Sequence, residues 1–315
     1  MHSVREFKIF TQKFTTPLPT ANGLWEERQS IILKETYADS TFSFGEVATT
    51  PGFNSFSFQD ALSEVKLWQK EDDRITYRYI CPALSCMKAS IWKEDVLVTK
   101  EVVPACLYFE RLRFSGYNQV IKRKIGLKPP KVEIPEILSW MKQLPAGNKV
   151  RLDPNQSLTN EHMIAWLSAL EGNKKVEFIE QPVPGMPSDA ILDIITSLKV
   201  PVALDEAIIT LGGLRKVKEL GWDGYFVVKP SLLDDWADTL CFLQEHPNVC
   251  VVSTVFESPI GYECVIRTCI HSNLIPGIDR RLFLGGKYEI DAHHQSSLIV
   301  PSVSNQKLDE LWRRL

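Results

Sequence analysis

From residue 103 onward, short β-rich apolar runs alternate with helical segments, and five successive runs close on a charged residue. Those residues are Lys124, Asp153, Glu180, Asp205 and Lys229, at steps of 24 to 29 residues. Strands separated by helices pair in parallel through right-handed crossovers, and a step of this size is one β/α unit. The runs at 103–109, 118–125, 148–153, 175–180, 201–205, 224–229, 249–254 and 274–279 predict a β/α barrel at the short end of the usual size. The C-terminal ends of barrel strands share one rim, where active sites of such folds are built. All five charges are therefore expected on that rim. Between Glu110 and Tyr117 there is no room for a crossover helix, which predicts a loop at the first connection.

The run from Gln119 to Gly126 carries two lysines two residues apart. A strand has a side-chain period of two, so Val120, Lys122 and Lys124 share one face while Ile121, Arg123 and Ile125 take the other. Read alone, two lysines on one face also suit an edge strand guarded against aggregation. Likewise a single Asp at a strand end, such as Asp153 or Asp205, is commonly a turn or helix-cap residue. As a group, Asp153, Glu180 and Asp205 from three adjacent strands would repel one another in a partly dry mouth unless a cation neutralised them. With oxygen donors only, and no cysteine or histidine nearby, the set points to a hard divalent ion, most simply Mg²⁺. Asn155 lies on the face of Asp153, whereas Glu206 and Glu177 alternate away. These three suit supporting roles beside the ligands or in ion pairs.

The remainder bounds the function by exclusion. The chain has 315 residues, of which 44% are hydrophobic and 24% charged, enough for one large domain and a smaller one. A net charge of −3 and a pI near 6.1 provide no general attraction for nucleic acid or an anionic membrane. No run of eighteen apolar residues occurs, and the N-terminus lacks the apolar core of a secretory signal, so a cytoplasmic protein is expected. The seven cysteines are scattered without a CxxC pair, which suits reduced thiols rather than disulfides or zinc. The first hundred residues read as α+β. Strands at 6–14 and 24–36 flank the turn signal Asn22-Gly23, a third strand follows at Thr41 to Glu46, and helices are expected from Ser57 to about residue 70 and over 82–94.

Taken as a set, Lys122-Arg-Lys124, Asp153-Pro-Asn155, Glu180-Gln-Pro182, Asp205-Glu206, Lys229-Pro230 and Phe256-Glu-Ser-Pro-Ile-Gly261 resemble the enolase superfamily, in its muconate-lactonizing subgroup. The resemblance spans almost the whole chain and is specific as a set. It implies an α/β fold, a modified (β/α)7β TIM-like barrel with an N-terminal α+β capping domain. The corresponding boundaries are 1–100 for the cap, 101–300 for the barrel and 301–315 for a C-terminal helix returning to the cap. It also implies a small carboxylate substrate and Mg²⁺, for which Mn²⁺ can substitute, held by Asp153, Glu180 and Asp205. Lys124 would be the general base, Lys122 its neighbour and Lys229 a second lysine of the site. A lysine base needs a lowered pKa, and the like charge of Lys122 with burial would push Lys124 that way. Short helices and Phe44-Gly-Glu46 followed by Pro51-Gly-Phe53 point, within the subgroup, to a carbon–oxygen lyase.

Departures and rivals complete the reading. The loop Thr20-Ala-Asn-Gly23 has no arginine to match a substrate clamp. A dipeptide epimerase would want acids near the last strand, where Ile278-Asp279-Arg-Arg281 has one acid and two arginines. An acid-sugar dehydratase would want a histidine base near the seventh strand, and Val251 to Val255 has none. His246, His271, His293 and His294 are expected at the surface or at helix ends. A phosphate-binding barrel would rest on Leu284-Gly-Gly286 alone, and a non-catalytic binding barrel would have lost a ligand or a lysine.

Overall fold

The computed structural model describes residues 3–20, 23–50, 56–93, 99–108 and 119–315. The turn at Asn22, the segment Pro51-Gly-Phe53 and the loop between Glu110 and Tyr117 lie outside the described residues. The chain divides into two compact units. One comprises Met1–Val103, Lys229–Asn248 and Val252–Leu315, and the other comprises Pro104–Val228 and Val249–Val251.

The first unit opens with an antiparallel sheet of β1 (Val4–Thr20), β2 (Gly23–Thr36) and β3 (Phe42–Val47), in that order. Ser57 and Asp60 form a reciprocal capping box that starts α1 (Phe58–Gln69). α2 (Cys81–Lys88) ends sooner than the expected helix over 82–94 and is followed by the 3-10 turn Ser90–Trp92. β4 (Lys100–Val102) closes this stretch.

The second unit carries β5 (Cys106–Leu107), β6 (Val120–Lys124), α3 (Pro130–Gln143), β7 (Lys149–Asp153), α4 (Asn160–Leu170), β8 (Val176–Glu180), α5 (Asp189–Leu198), β9 (Val202–Leu204), α6 (Glu206–Thr210), α7 (Leu214–Glu219) and β10 (Tyr225–Val228). With β11 (Cys250–Val252) these strands form a seven-stranded parallel sheet in the order β11-β10-β9-β8-β7-β6-β5, the α/β architecture of a modified TIM-type barrel. β9, β10 and β11 are continuous apolar runs, as a parallel sheet covered on both faces favours, whereas β6 and β7 interleave charged residues with apolar ones. Val150, Leu152, Phe178, Ile179, Ala203 and Leu204 are fully buried. α4 buries Met163, Trp166, Leu167 and Leu170, the i, i+3, i+4, i+7 stripe of a helix covering a sheet.

The eighth apolar run, 274–279, forms no strand. It makes one parallel bridge, Ser253 to Gly277. Gly277 donates its N–H to the Val252 carbonyl and accepts from the Thr254 N–H, and the ladder stops at that single bridge. The chain then completes the first unit with α8 (Trp236–Glu245), α9 (Pro259–Thr268), β12 (Leu298–Val300, antiparallel to β4) and α10 (Asn305–Arg314). Leu308, Leu311 and Trp312 of α10 share a core with Phe10, Ile32, Phe44 and Ile260. Lys34 donates to Asp309 and Lys8 to the Trp312 carbonyl across the same contact. Among the described residues no helix is long and apolar enough to cross a membrane.

Candidate active site

The site in the second unit is built from strand register. In the β6–β7 ladder Lys124 stands opposite Asp153 and Lys122 opposite Arg151. The Lys124 ammonium lies 2.8 Å from Asp153 Oδ2, and the Lys122 ammonium lies 2.9 Å from the same oxygen and 2.6 Å from Glu180 Oε1. Asp153, Glu180 and Asp205 are at most 2% exposed, while the Lys124 side chain is 44% exposed. Burial alone would lower the Lys122 ammonium, yet Asp153, Glu180 and Asp205 together hold it well above the ordinary lysine range. Burial would raise the Asp153 carboxyl, but Lys122 and Lys124 hold it well below the ordinary carboxylate range. Lys122 is therefore a fixed cation at physiological pH. On the opposite face the Arg123 guanidinium lies against the edge-to-face pair Tyr108 and Trp140, 4.4 and 4.5 Å from their ring centroids. That contact anchors the register from outside.

The neighbouring strand ends are tied by side chains. Asn155, with φ at +45°, donates its backbone N–H to Asp153 Oδ1 at 2.9 Å and its amide to Glu206 Oε1 at 3.3 Å. Arg151, buried below, is matched by Glu177 at 2.9 Å. Lys229 follows β10 directly, is buried, and belongs to the first unit. Whether a divalent cation suits the second unit can be judged from its donors. Three buried carboxylates end adjacent strands, and Glu206 Oε2 beside them is buried without a hydrogen-bond partner. A cation, the Lys122 ammonium, already stands between two of them. Their chemistry fits a hard ion held by Asp153, Glu180 and Asp205. As the side chains stand, no three His, Cys, Asp or Glu among the described residues form a group that could hold a metal.

Residues 109–231 match the family described as Enolase C-terminal domain-like. This segment is enolase-like. The chain is 27% identical over 279 residues to o-succinylbenzoate synthase of Thermosynechococcus vestitus, covering 81% of this chain and 85% of that protein. Among solved structures it resembles o-succinylbenzoate synthase from Thermosynechococcus elongatus complexed with Mg in the active site, with a TM-score of 0.72, 23% identity and 99% of each chain covered. It also resembles the substrate-liganded L-Ala-D/L-Glu epimerase of Bacillus subtilis, with a TM-score of 0.68, 15% identity, and 90% and 91% of the two chains covered. These structural likenesses show the fold.

The first unit holds a second buried charge cluster that the residue pattern did not single out. Glu46 on β3 accepts from the backbone N–H and hydroxyl of Ser258. Glu257 accepts from the Ser231 hydroxyl at 2.7 Å and the Val255 N–H at 3.0 Å. Burial, reinforced by Glu46, pushes the Glu257 carboxyl up to about 7. Arg28, 3% exposed, donates to the carbonyls of Val255, Gln29 and Thr49. The available signal was a glutamate inside the apolar run Phe42 to Val47, and Glu257 within Phe256 to Gly261. Nothing marked Arg28. His293 lies at the end of the 3-10 turn Asp291–His294, as expected of a helix-end residue, but not at the surface: it is buried, with Nε2 3.0 Å from Glu263 Oε2. A buried carboxylate needs a partner, and Glu263 draws the imidazole inward together with Arg267. His294 is likewise held by Glu289 at 2.9 Å.

Proposed function

We propose that this chain is an o-succinylbenzoate synthase. The reaction is the syn dehydration of 2-succinyl-6-hydroxy-2,4-cyclohexadiene-1-carboxylate to 2-succinylbenzoate, a step of menaquinone biosynthesis. The observation that carries this reading is the pair of β6 lysines meeting on one oxygen of Asp153 beside Glu180. The o-succinylbenzoate synthase relative supports it over most of the chain. In its neutral form Lys124, the more exposed of the pair, takes the proton α to the substrate carboxylate. The same ammonium then returns that proton to the departing hydroxyl, which leaves as water from the same face, so one lysine serves both halves of a syn elimination. Lys122, held cationic by its carboxylates, keeps positive charge beside the reacting face. Lys229 supplies a second cation. When bound, Mg²⁺ or Mn²⁺ would offset the charge that builds on the substrate carboxylate.

The rival reading, a dipeptide epimerase or N-acylamino acid racemase, asks for an acid to receive a substrate ammonium or needs no leaving group. Asp279 is engaged by Arg281 at 2.9 Å, which counts against the epimerase. The deciding experiment incubates the purified protein with the cyclohexadiene substrate and, separately, with a dipeptide panel, with Mg²⁺ and then with EDTA. Succinylbenzoate is expected, lost in chelator and restored by Mg²⁺ or Mn²⁺. Epimerised dipeptides without succinylbenzoate would reassign the enzyme. Turnover of neither would favour a binding protein, and full activity in EDTA would remove the metal from the reading.

A further inference from the structure

We infer that Gln181 is a positioning residue for Asp205, the carboxylate at the end of the next strand. This rests on the reading of Asp205 as a ligand to the divalent cation. Gln181 is fully buried and follows Glu180 directly. Its carboxamide is saturated. Oε1 accepts from the backbone N–H of Asp205 at 2.8 Å and of Ala207 at 3.0 Å, and Nε2 donates to the carbonyls of Val183 at 2.8 Å and Gly185 at 3.0 Å. A glutamine has two donor hydrogens and one oxygen with two lone pairs, so nothing is left over.

The main chain of the same residue adds to the tie. Its N–H donates to the Ala203 carbonyl at 2.7 Å, and its carbonyl accepts from Gln156 N–H at 2.8 Å. One residue thus links the segments after β7, β8 and β9. It does so with φ at +35°, a left-handed conformation that a side chain bearing Cβ adopts at a cost. Asp205 itself has φ −132° and ψ −85°, outside regular helix or strand. Its backbone direction, and so the direction of its carboxylate, is set by the N–H bonds on either side of Glu206. Both go to Gln181. A hydrophobic residue of the same length would fill the space and release the turn.

The test measures Mn²⁺ affinity by electron paramagnetic resonance on the full chain. Gln181→Met is expected to raise the Mn²⁺ Kd about 10- to 100-fold, the usual effect of removing a side chain that orients a ligand. Val217→Ala, which opens a cavity in α7 of the same unit, controls for general destabilisation and should leave the Kd within about twofold. An unchanged Kd in Gln181→Met, or an equal rise in Val217→Ala, overturns the inference. If Gln181→Met does not fold, Gln181→Asn, whose amide is one methylene short, is judged by the same two outcomes. Asp205→Asn separates the two levels. If it weakens Mn²⁺ binding and the Gln181 variant does not, only the positioning role falls. If wild type binds no Mn²⁺, or Asp205→Asn is without effect, the ligand reading falls and takes the inference with it.

Discussion

The two buried charge clusters differ in what their charges hold. In the second unit, Lys122 and Lys124 spend their hydrogen bonds on the side chains of Asp153 and Glu180. In the first unit, Arg28 donates to three main-chain carbonyls, while Glu46 and Glu257 accept from the backbone N–H groups of Ser258 and Val255. Side-chain partners can be exchanged for a substrate group by rotating a few bonds. Main-chain partners cannot leave without moving a loop. The rim is therefore poised for chemistry, and the Arg28 cluster fixes the path of the chain.

The contrast is broken most directly at Lys124. Lys124→Ala should lower kcat by on the order of 10³-fold or more, about 4 kcal/mol of barrier, with thermal stability little changed because the side chain is 44% exposed and Lys122 still pairs with Asp153. Appreciable residual turnover would sink the assignment of the base. Arg28→Met should do the reverse. It leaves Glu46 and Glu257 without their buried counter-charge, and a loss of about 3–5 kcal/mol is expected in urea denaturation. A loss well under 1 kcal/mol would make the cluster incidental.

The smallest effect is in the pH dependence of stability. Glu257 keeps its proton in the folded state to about pH 7, against an ordinary value of 4.5. The folded state therefore binds more protons than the unfolded chain across that window, and stability falls as pH rises through it. A contribution of up to about 3 kcal/mol follows from the size of the shift. Glu257→Gln, which can still accept from Val255 N–H and donate to Ser231, should flatten the slope between pH 4.5 and 7. A slope identical to wild type would locate the titration elsewhere.

How much of this was legible in the sequence follows from distance along the chain. The juxtaposition of Lys122, Lys124, Asp153 and Glu180 depends on a period of two within a strand and one β/α step between strands, and both can be counted. The tie from Glu46 to Ser258 joins positions 212 residues apart, and no local pattern announces it. Gln181 was visible only as a neighbour of Glu180, because its role needs a left-handed backbone that the sequence around it does not demand. His293 read as a surface or helix-end residue, and only the placement of Glu263 shows why it is buried. The eighth run had the composition of a strand, but it pairs with β11 through Gly277 alone, and composition does not announce where pairing ends.

The shared core of β1, β2, β3 and α10 also sets a schedule for synthesis. Phe10, Ile32 and Phe44 leave the ribosome early, yet the apolar surface they present is completed only by Leu308, Leu311 and Trp312. At ordinary translation speeds that interval is on the order of tens of seconds. During it the second unit, whose strands and helices are contiguous from Pro104 to Val228, can fold while the opening hairpin waits with an aromatic face uncovered. The nascent chain should accordingly depend on a holding chaperone far more than the finished protein does.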